Sequence, residues 1–127
     1  GELVYTGTLR TNLASFLDKV QLNGNEYRVA SELFAQTADV YTVLDLINPE
    51  DYVCDTFDGE GKSKTECAKR IARVVCADLE MLSMDDIVEM SRFIHQKQIE
   101  QIADGLKQVV DAQNLDLIVT TGLGKDI

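Results

Sequence analysis

Apolar and polar residues alternate early in this chain and recur at helical spacing later. Leu3-Val4-Tyr5-Thr6 lies in a β-branched, hydroxyl-rich stretch, which predicts a strand over residues 2–6, ended or bulged by Gly7. Arg10-Thr11-Asn12 reads as a turn, and the apolar residues between Leu13 and Leu17 suit one helical turn. Residues 19–22 and 26–29 then flank Asn23-Gly24-Asn25. Asn-Gly between two alternating runs is a strong hairpin signal, because both residues tolerate positive φ.

From Thr37 the period changes. Val40, Tyr41, Val43, Leu44 and Ile47 recur at helical spacing, with Ser31 or Thr37 as the cap, and the only proline, Pro49, stops the pattern after Asn48. Residues 50–61 read as loop, turning at Asp58-Gly59. Ser63-Lys64-Thr65-Glu66 is a capping box for a helix that runs to about Asp78. Cys67, Ile71, Val74 and Val75 form its buried stripe, and Lys69, Arg70 and Arg73 its wet side. Ser83-Met84-Asp85-Asp86 repeats the start signal. It opens a helix over residues 84–113 striped by Ile87, Met90, Ile94, Gln98, Ile102, Leu106 and Val109 or Val110. At 1.5 Å per residue that helix is about 45 Å long. Gly105 within it suggests a close neighbour or a bend. Asn114 ends it, residues 115–120 read as a buried strand, and Thr121-Gly122-Leu123-Gly124-Lys125 as a glycine turn into a helix start.

The elements add up to an α+β, mainly helical class. A strand and hairpin occupy residues 1–30, a helical subdomain 31–113, and a return strand with its glycine turn 114–127. The chain opens inside a strand pattern and stops where a helix would begin, so it is expected to be a middle piece of a longer polypeptide that is inactive in isolation. Its 127 residues, 45% of them hydrophobic, are enough to bury a core. Lys+Arg number 12 and Asp+Glu 22, a formal charge of −10 that argues against nucleic acid and anionic membrane surfaces as partners. No apolar run approaches the roughly 18 residues of a membrane span. Three cysteines with no C-x-x-C pair fit reduced thiols in the cytoplasm.

Candidate chemistry centres on the loop. Asp55, Asp58, Gly59, Gly61, Lys62 and Ser63 put acids, glycines and a lysine at a helix start, which could hold Mg²⁺ or phosphate, although the residues alone favour an ordinary acidic turn with a helix cap. The G-x-x-x-x-G-K-[ST] spacing is absent. Asp39 falls in a first helical turn, where an acid complements the dipole. Thr121, Gly122 and Gly124 suit close approach to a phosphate, although a lone G-x-G is weak evidence. His95, the only histidine, reads as a partly exposed helix residue, and Gln98 as a partner for a neighbouring loop backbone. Cys67 and Cys76 look like core fillers, which leaves Cys54 in the polar loop as the reactive candidate. No Ser-His-Asp set or H-x-x-x-H motif can be assembled.

Gly1 to Thr11, Thr37-Ala38-Asp39-Val40-Tyr41, Asp55 to Ser63, Ala72 to Asp78 and Thr121-Gly122-Leu123-Gly124 together resemble the archaeal hydantoinase/oxoprolinase-like family, linked to tetrahydromethanopterin-dependent one-carbon transfer. Phe57 stands where the family pattern usually has alanine. The resemblance implies a segment of the duplicated actin-like ATPase fold, of the sugar kinase/actin superfamily and ribonuclease H-like. It implies a methanofuran-biosynthesis transferase that condenses an aminomethylfuran-methyl diphosphate with γ-glutamyltyramine and releases pyrophosphate. It implies Asp55 and Asp58 as catalytic residues and Mg²⁺ ligands. It further implies Tyr5, Thr6, Arg10, Asp39, Gly59, Gly61, Lys62, Ser63, Thr121, Gly122 and Gly124 as substrate or phosphate contacts. Small molecules are the implied partners, and a homo-oligomer is compatible with the resemblance. The same fold equally allows an ATP-binding kinase-like or assembly module with no transferase chemistry.

Overall fold

Asn23 and Gly24 both take positive φ, 51° and 76°, the paired left-handed geometry that matches strand twist in a two-residue hairpin. They close β1 (Lys19–Leu22) onto β2 (Asn25–Arg28), with Lys19 opposite Arg28 and Leu22 opposite Asn25. The second strand thus begins one residue earlier than its composition suggests. Val20 and Leu22 point into the core, and β2 is exposed along its length. The computed structural model describes residues 3–127. Gly1 and Glu2, where the first predicted strand starts, lie outside the described residues.

Residues 3–6 form no strand, because no neighbouring strand is described for them to bond. The chain instead continues as a strap. Leu13–Ser15 makes the expected single turn, as a 3₁₀ helix capped by the Asn12 side chain. The strap lies across the start of α1 (Thr37–Val43), where the Thr11 and Leu9 carbonyls accept from the N–H groups of Thr37 (2.9 Å) and Ala38 (3.1 Å). Backbone thus satisfies orphan donors that a side-chain cap would otherwise take. The Thr37 hydroxyl does not cap; it donates to the Gly7 carbonyl at 2.8 Å. α1 ends short of the predicted stripe, with Asp45 at φ 56°. Pro49 then opens a 3₁₀ turn, Pro49–Asp51.

The capping box at Ser63 forms as read. Ser63 Oγ accepts from Glu66 N–H (3.3 Å), and the Glu66 carboxylate accepts from Ser63 N–H (2.9 Å). α2 (Lys64–Val74) stops sooner than expected, because the Val74 carbonyl accepts from Ala30 N–H at 2.8 Å and Cys76 turns left-handed at φ 57°. The second box likewise opens α3 (Met84–Gln113), which Asn114 ends at φ 51°. α2 packs on α1, and α3 crosses both and reaches β1. The core between them contains Leu13, Val20, Val40, Val43, Ile71, Ile87, Met90 and Ile94, each no more than 1% exposed. The hairpin tip is tied to α3 by Asn23, whose N–H and side-chain amide donate to Glu89 (2.8 Å) and Asp86 (2.9 Å).

Only the first half of the α3 stripe is buried. Ile87, Met90, Ile94 and Gln98 are covered, whereas Ile102 and Leu106 are each 40% exposed. Residues 115–120 do not form the expected strand. They run unpaired, with Leu117 77% and Val119 80% exposed, again for want of a described neighbour. Gly122, at φ 91°, leads into a 3₁₀ turn, Leu123–Asp126. The architecture is α+β and mainly helical, with one two-stranded sheet among the described residues. None of those residues forms a helix long and apolar enough to cross a membrane.

Gly105 sits where the strap crosses α3, and a Cβ there would overlap Val4 Cγ2. Alanine in a helix interior normally gains up to about 1 kcal/mol over glycine. Gly105→Ala is therefore expected to leave the melting temperature unchanged or lower it, and to raise it when combined with Val4→Ala. Thermal unfolding of the two single variants and the double variant checks this.

Candidate functional site

The largest fully buried side chain is charged. Arg70 lies on α2 three residues after Cys67 and is 0% exposed. Its guanidinium reaches Asp39 Oδ1 on α1 through Nε (2.9 Å) and Nη2 (2.8 Å), and Asp58 Oδ1 in the loop through Nη1 (3.0 Å). Nη2 also approaches Cys67 Sγ at 3.4 Å. Asp39, likewise 0% exposed, accepts from the Tyr52 hydroxyl (2.8 Å) and from Gln36 N–H (2.9 Å). Gln36 Nε2 completes the cluster by donating to Tyr52 Oη (3.0 Å) and to the Asp55 carbonyl (2.7 Å). Every polar group here is paired, as the burial of charge requires.

Two expectations are corrected here. Arg70 is not on the wet side of its helix, and Asp39 does more than complement a dipole. The sequence carried one clue: positions 67, 70, 71 and 74 share a helical face, so spacing placed Arg70 on the buried stripe where its charge argued otherwise. Gln36 and Tyr52 carried no comparable signal, because their partners come from remote segments.

The cluster sets protonation states. Burial, reinforced by Asp39, pushes the Cys67 thiol up to about 12 and the Tyr52 phenol well above its ordinary value, so both remain protonated donors. Burial works against the lowering at Asp58. The Glu60 N–H and the Arg70 and Arg73 guanidiniums nevertheless hold its carboxyl below the ordinary carboxylate value.

Asp58 is thus a clamp. Oδ1 faces Arg70 and Oδ2 faces Arg73, each at 3.0 Å, and Oδ1 also accepts from Glu60 N–H at 3.1 Å. Both oxygens are already matched by positive charge, so a cation at Asp58 would face two guanidiniums. Among the described residues no three His, Cys, Asp or Glu side chains are grouped to hold a metal. The pair Asp55–Asp58 does not fit Mg²⁺. Lys62 is also engaged: Nζ donates to the Tyr52 carbonyl at 2.8 Å and sits 5.1 Å from the Tyr52 ring centre. The start of α2, the expected phosphate cradle, is filled by the Glu66 carboxylate. Glu66 folds back over Gly61 so closely that a Cβ there would meet both of its oxygens. Gly59, at φ 73°, makes the turn that brings Asp58 inward.

The remaining sequence candidates divide among three grooves. Asp55 and Arg10 line one of about 500 Å³, with Gln36, Cys54, Thr56 and Phe57. Lys62 and Ser63 line another, with Thr42, Asp45 and Pro49. Thr6 and Gly124 line a third, about 150 Å³, with Tyr41 and Gln98. In that third groove the Gln98 amide donates to Thr6 Oγ1 (2.6 Å) and the Gly7 carbonyl (3.0 Å), and its oxygen accepts from Tyr41. Gln98 thus bonds a loop backbone, as expected. Tyr5 is 86% exposed, and Thr121 and Gly122 are exposed. His95 is half-buried and stacks edge-on against Tyr41, and burial lowers its pKa. Cys67 is a core residue, as expected, but the other two cysteines differ from expectation: Cys54 is buried, with its thiol toward the Leu9 carbonyl, whereas Cys76 is exposed.

Arg70→Leu strands the buried Asp39 carboxylate, and breaking such a pair typically costs about 3–5 kcal/mol. Arg70→Leu with Asp39→Asn is expected to recover part of that loss in urea unfolding. Asp58 adds a pH signature. Its folded pKa lies below the unfolded value of about 3.9, so its contribution is present above about pH 4 and is lost as pH falls through the folded pKa. The melting-temperature gap between wild type and Asp58→Asn is expected to be widest near neutrality and to narrow below about pH 4.

The comparisons with known proteins agree with one another. Over 126 residues the chain is 40% identical to a Methanocaldococcus jannaschii protein named (4-{4-[2-(gamma-L-glutamylamino)ethyl]phenoxymethyl}furan-2-yl)methanamine synthase, covering 99% of this chain and 38% of that protein. It is 38% identical over 126 residues to a Methanococcus vannielii protein of the same name, covering 99% of this chain and 57% of that protein. The chain therefore spans only part of each relative's length. Residues 1–127 match the family described as Hydantoinase/oxoprolinase. With the match running from one end of the sequence to the other, the chain belongs to the Hydantoinase/oxoprolinase family.

Proposed function

We propose that this chain is part of a transferase that builds the aryl ether of a methanofuran precursor. The identity to two synthases of that printed name, over 99% of the chain, carries the reading. The product in that name joins a phenoxy oxygen to a furan methylene, with a γ-glutamylaminoethyl group on the aryl ring and an aminomethyl group on the furan. In the proposed reaction the methylene C–O bond of an aminomethylfuran-methyl diphosphate breaks, and pyrophosphate leaves with the electron pair. The phenol oxygen of γ-glutamyltyramine forms the new C–O bond, and its proton passes to a base.

In this reading the described residues serve the phenol substrate more than the diphosphate. Lys62 is bonded to a carbonyl, Ser63 N–H is taken by Glu66, and the chain carries a net charge of −10, which repels a polyanion. The parent fold in this proposal is the actin-like ATPase fold. The exposed apolar residues Leu117 and Val119, in no helix or strand among the described residues, support it because they suit strands of a larger sheet.

Incubating the full-length polypeptide that carries this chain with the furan-methyl diphosphate and γ-glutamyltyramine is expected to yield the ether by mass spectrometry, with one pyrophosphate released per ether. ATP-dependent phosphorylation with no ether formed would overturn the reading in favour of a kinase-like activity.

A further inference from the structure

The groove beside the strap presents opposite charges to a ligand-sized space without their neutralising each other. Arg10 and Asp55 both line it and both are exposed. Among the described residues neither has an ion-pair partner, although seven other ion pairs form among them. Asp58, three residues from Asp55, is clamped by two guanidiniums, so the contrast arises within one loop. Phe57, 38% exposed, and Val53, 73% exposed, add apolar surface to the same groove.

The groove is also held in shape. Gln36, 2% exposed, forms its inner wall and holds the Asp55 backbone through the 2.7 Å bond to its carbonyl. On the opposite side, the Cys54 thiol reaches the Leu9 carbonyl, next to Arg10. The Arg70–Asp58 clamp fixes the loop beyond Phe57. A rigid wall bearing one cation, one anion and apolar surface recognises a zwitterion attached to an apolar body, because each charge of the ligand gains a charge-assisted partner.

We propose that this groove is the recognition subsite for the α-amino acid end of the aryl substrate. Arg10 binds its α-carboxylate, Asp55 its α-ammonium, and Phe57 and Val53 cover the adjoining chain. The inference rests on the transferase reading, whose phenol substrate carries such a group at its γ-glutamyl end. It replaces the metal role for Asp55 with an organic cation and gives Arg10 a specific partner.

Three phenols separate the two charges: γ-glutamyltyramine, its glutaryl analogue without the ammonium, and its 4-aminobutyryl analogue without the carboxylate. Binding of each to the protein is measured by calorimetry, and ether formation is measured alongside. Arg10→Gln is expected to weaken γ-glutamyltyramine and the glutaryl analogue about tenfold or more and to leave the 4-aminobutyryl analogue within about twofold. Asp55→Asn is expected to show the converse, weakening γ-glutamyltyramine and the 4-aminobutyryl analogue while sparing the glutaryl one. Misfolding would weaken all three ligands together and cannot produce the crossed pattern. Ether formation by wild type with equal losses across the three ligands in both variants would overturn the subsite and leave the transferase reading standing. Absence of both binding and ether formation in the full-length wild-type polypeptide would overturn both.

Discussion

A guanidinium with no access to water governs how this chain is put together. Arg70 enters the core because α2 turns its Cys67 face inward, and an ion there is tolerated only with its charge and its donors matched. Asp39 supplies the match from α1, and Asp58 supplies it from the loop. Such a pair is weak as a source of net stability and strong as a constraint on arrangement, since α1, α2 and the loop have few placements that satisfy all of its bonds. Tyr52 and Gln36 extend the constraint to the backbone at Asp55.

The same bonds decide what the loop offers a ligand. Read as a string, residues 54–63 hold three acids, two glycines, a lysine and a helix start, the parts of an anion or metal cradle. Folding assigns most of those parts elsewhere. The Asp58 carboxylate faces two arginines, Lys62 is bonded to a carbonyl, and the α2 N-terminus is covered by Glu66. All three main helices begin this way, with an acid of their own first turn folded back: Asp39 on α1, Glu66 on α2 and Asp86 on α3. Each self-cap satisfies an orphan donor and places negative charge at the positive end of the dipole, where an external phosphate would otherwise be drawn. Asp55, with Arg10, remains directed to the solvent side.

Packing density divides the molecule in a second way. The hairpin, α1, α2 and the first half of α3 enclose the core, whereas the second half of α3 and residues 115–120 leave Ile102, Leu106, Leu117 and Val119 in contact with water. Gly105 is the exception within that half, because the strap passes close enough at Val4 to exclude a Cβ. Family membership covers the whole chain, while the chain covers 38% and 57% of two relatives.

Local signals were legible wherever a few adjacent residues settle the conformation among themselves. The Asn23-Gly24 hairpin, the Ser63–Glu66 and Ser83–Asp86 boxes and the Asn114 stop belong to this class. Residues 3–6 and 115–120 form no strand among the described residues, because a strand needs a neighbour, which composition cannot supply. The burial of Arg70, the clamping of Asp58 and the burial of Cys54 depended on groups brought together from up to 45 residues apart. The sequence alone determined the turns, the caps and the helical class, since those follow from torsional preference and nearest-neighbour hydrogen bonds. Only the tertiary structure decided which acid is neutralised and which remains free, because that depends on which cation each can reach after the helices pack.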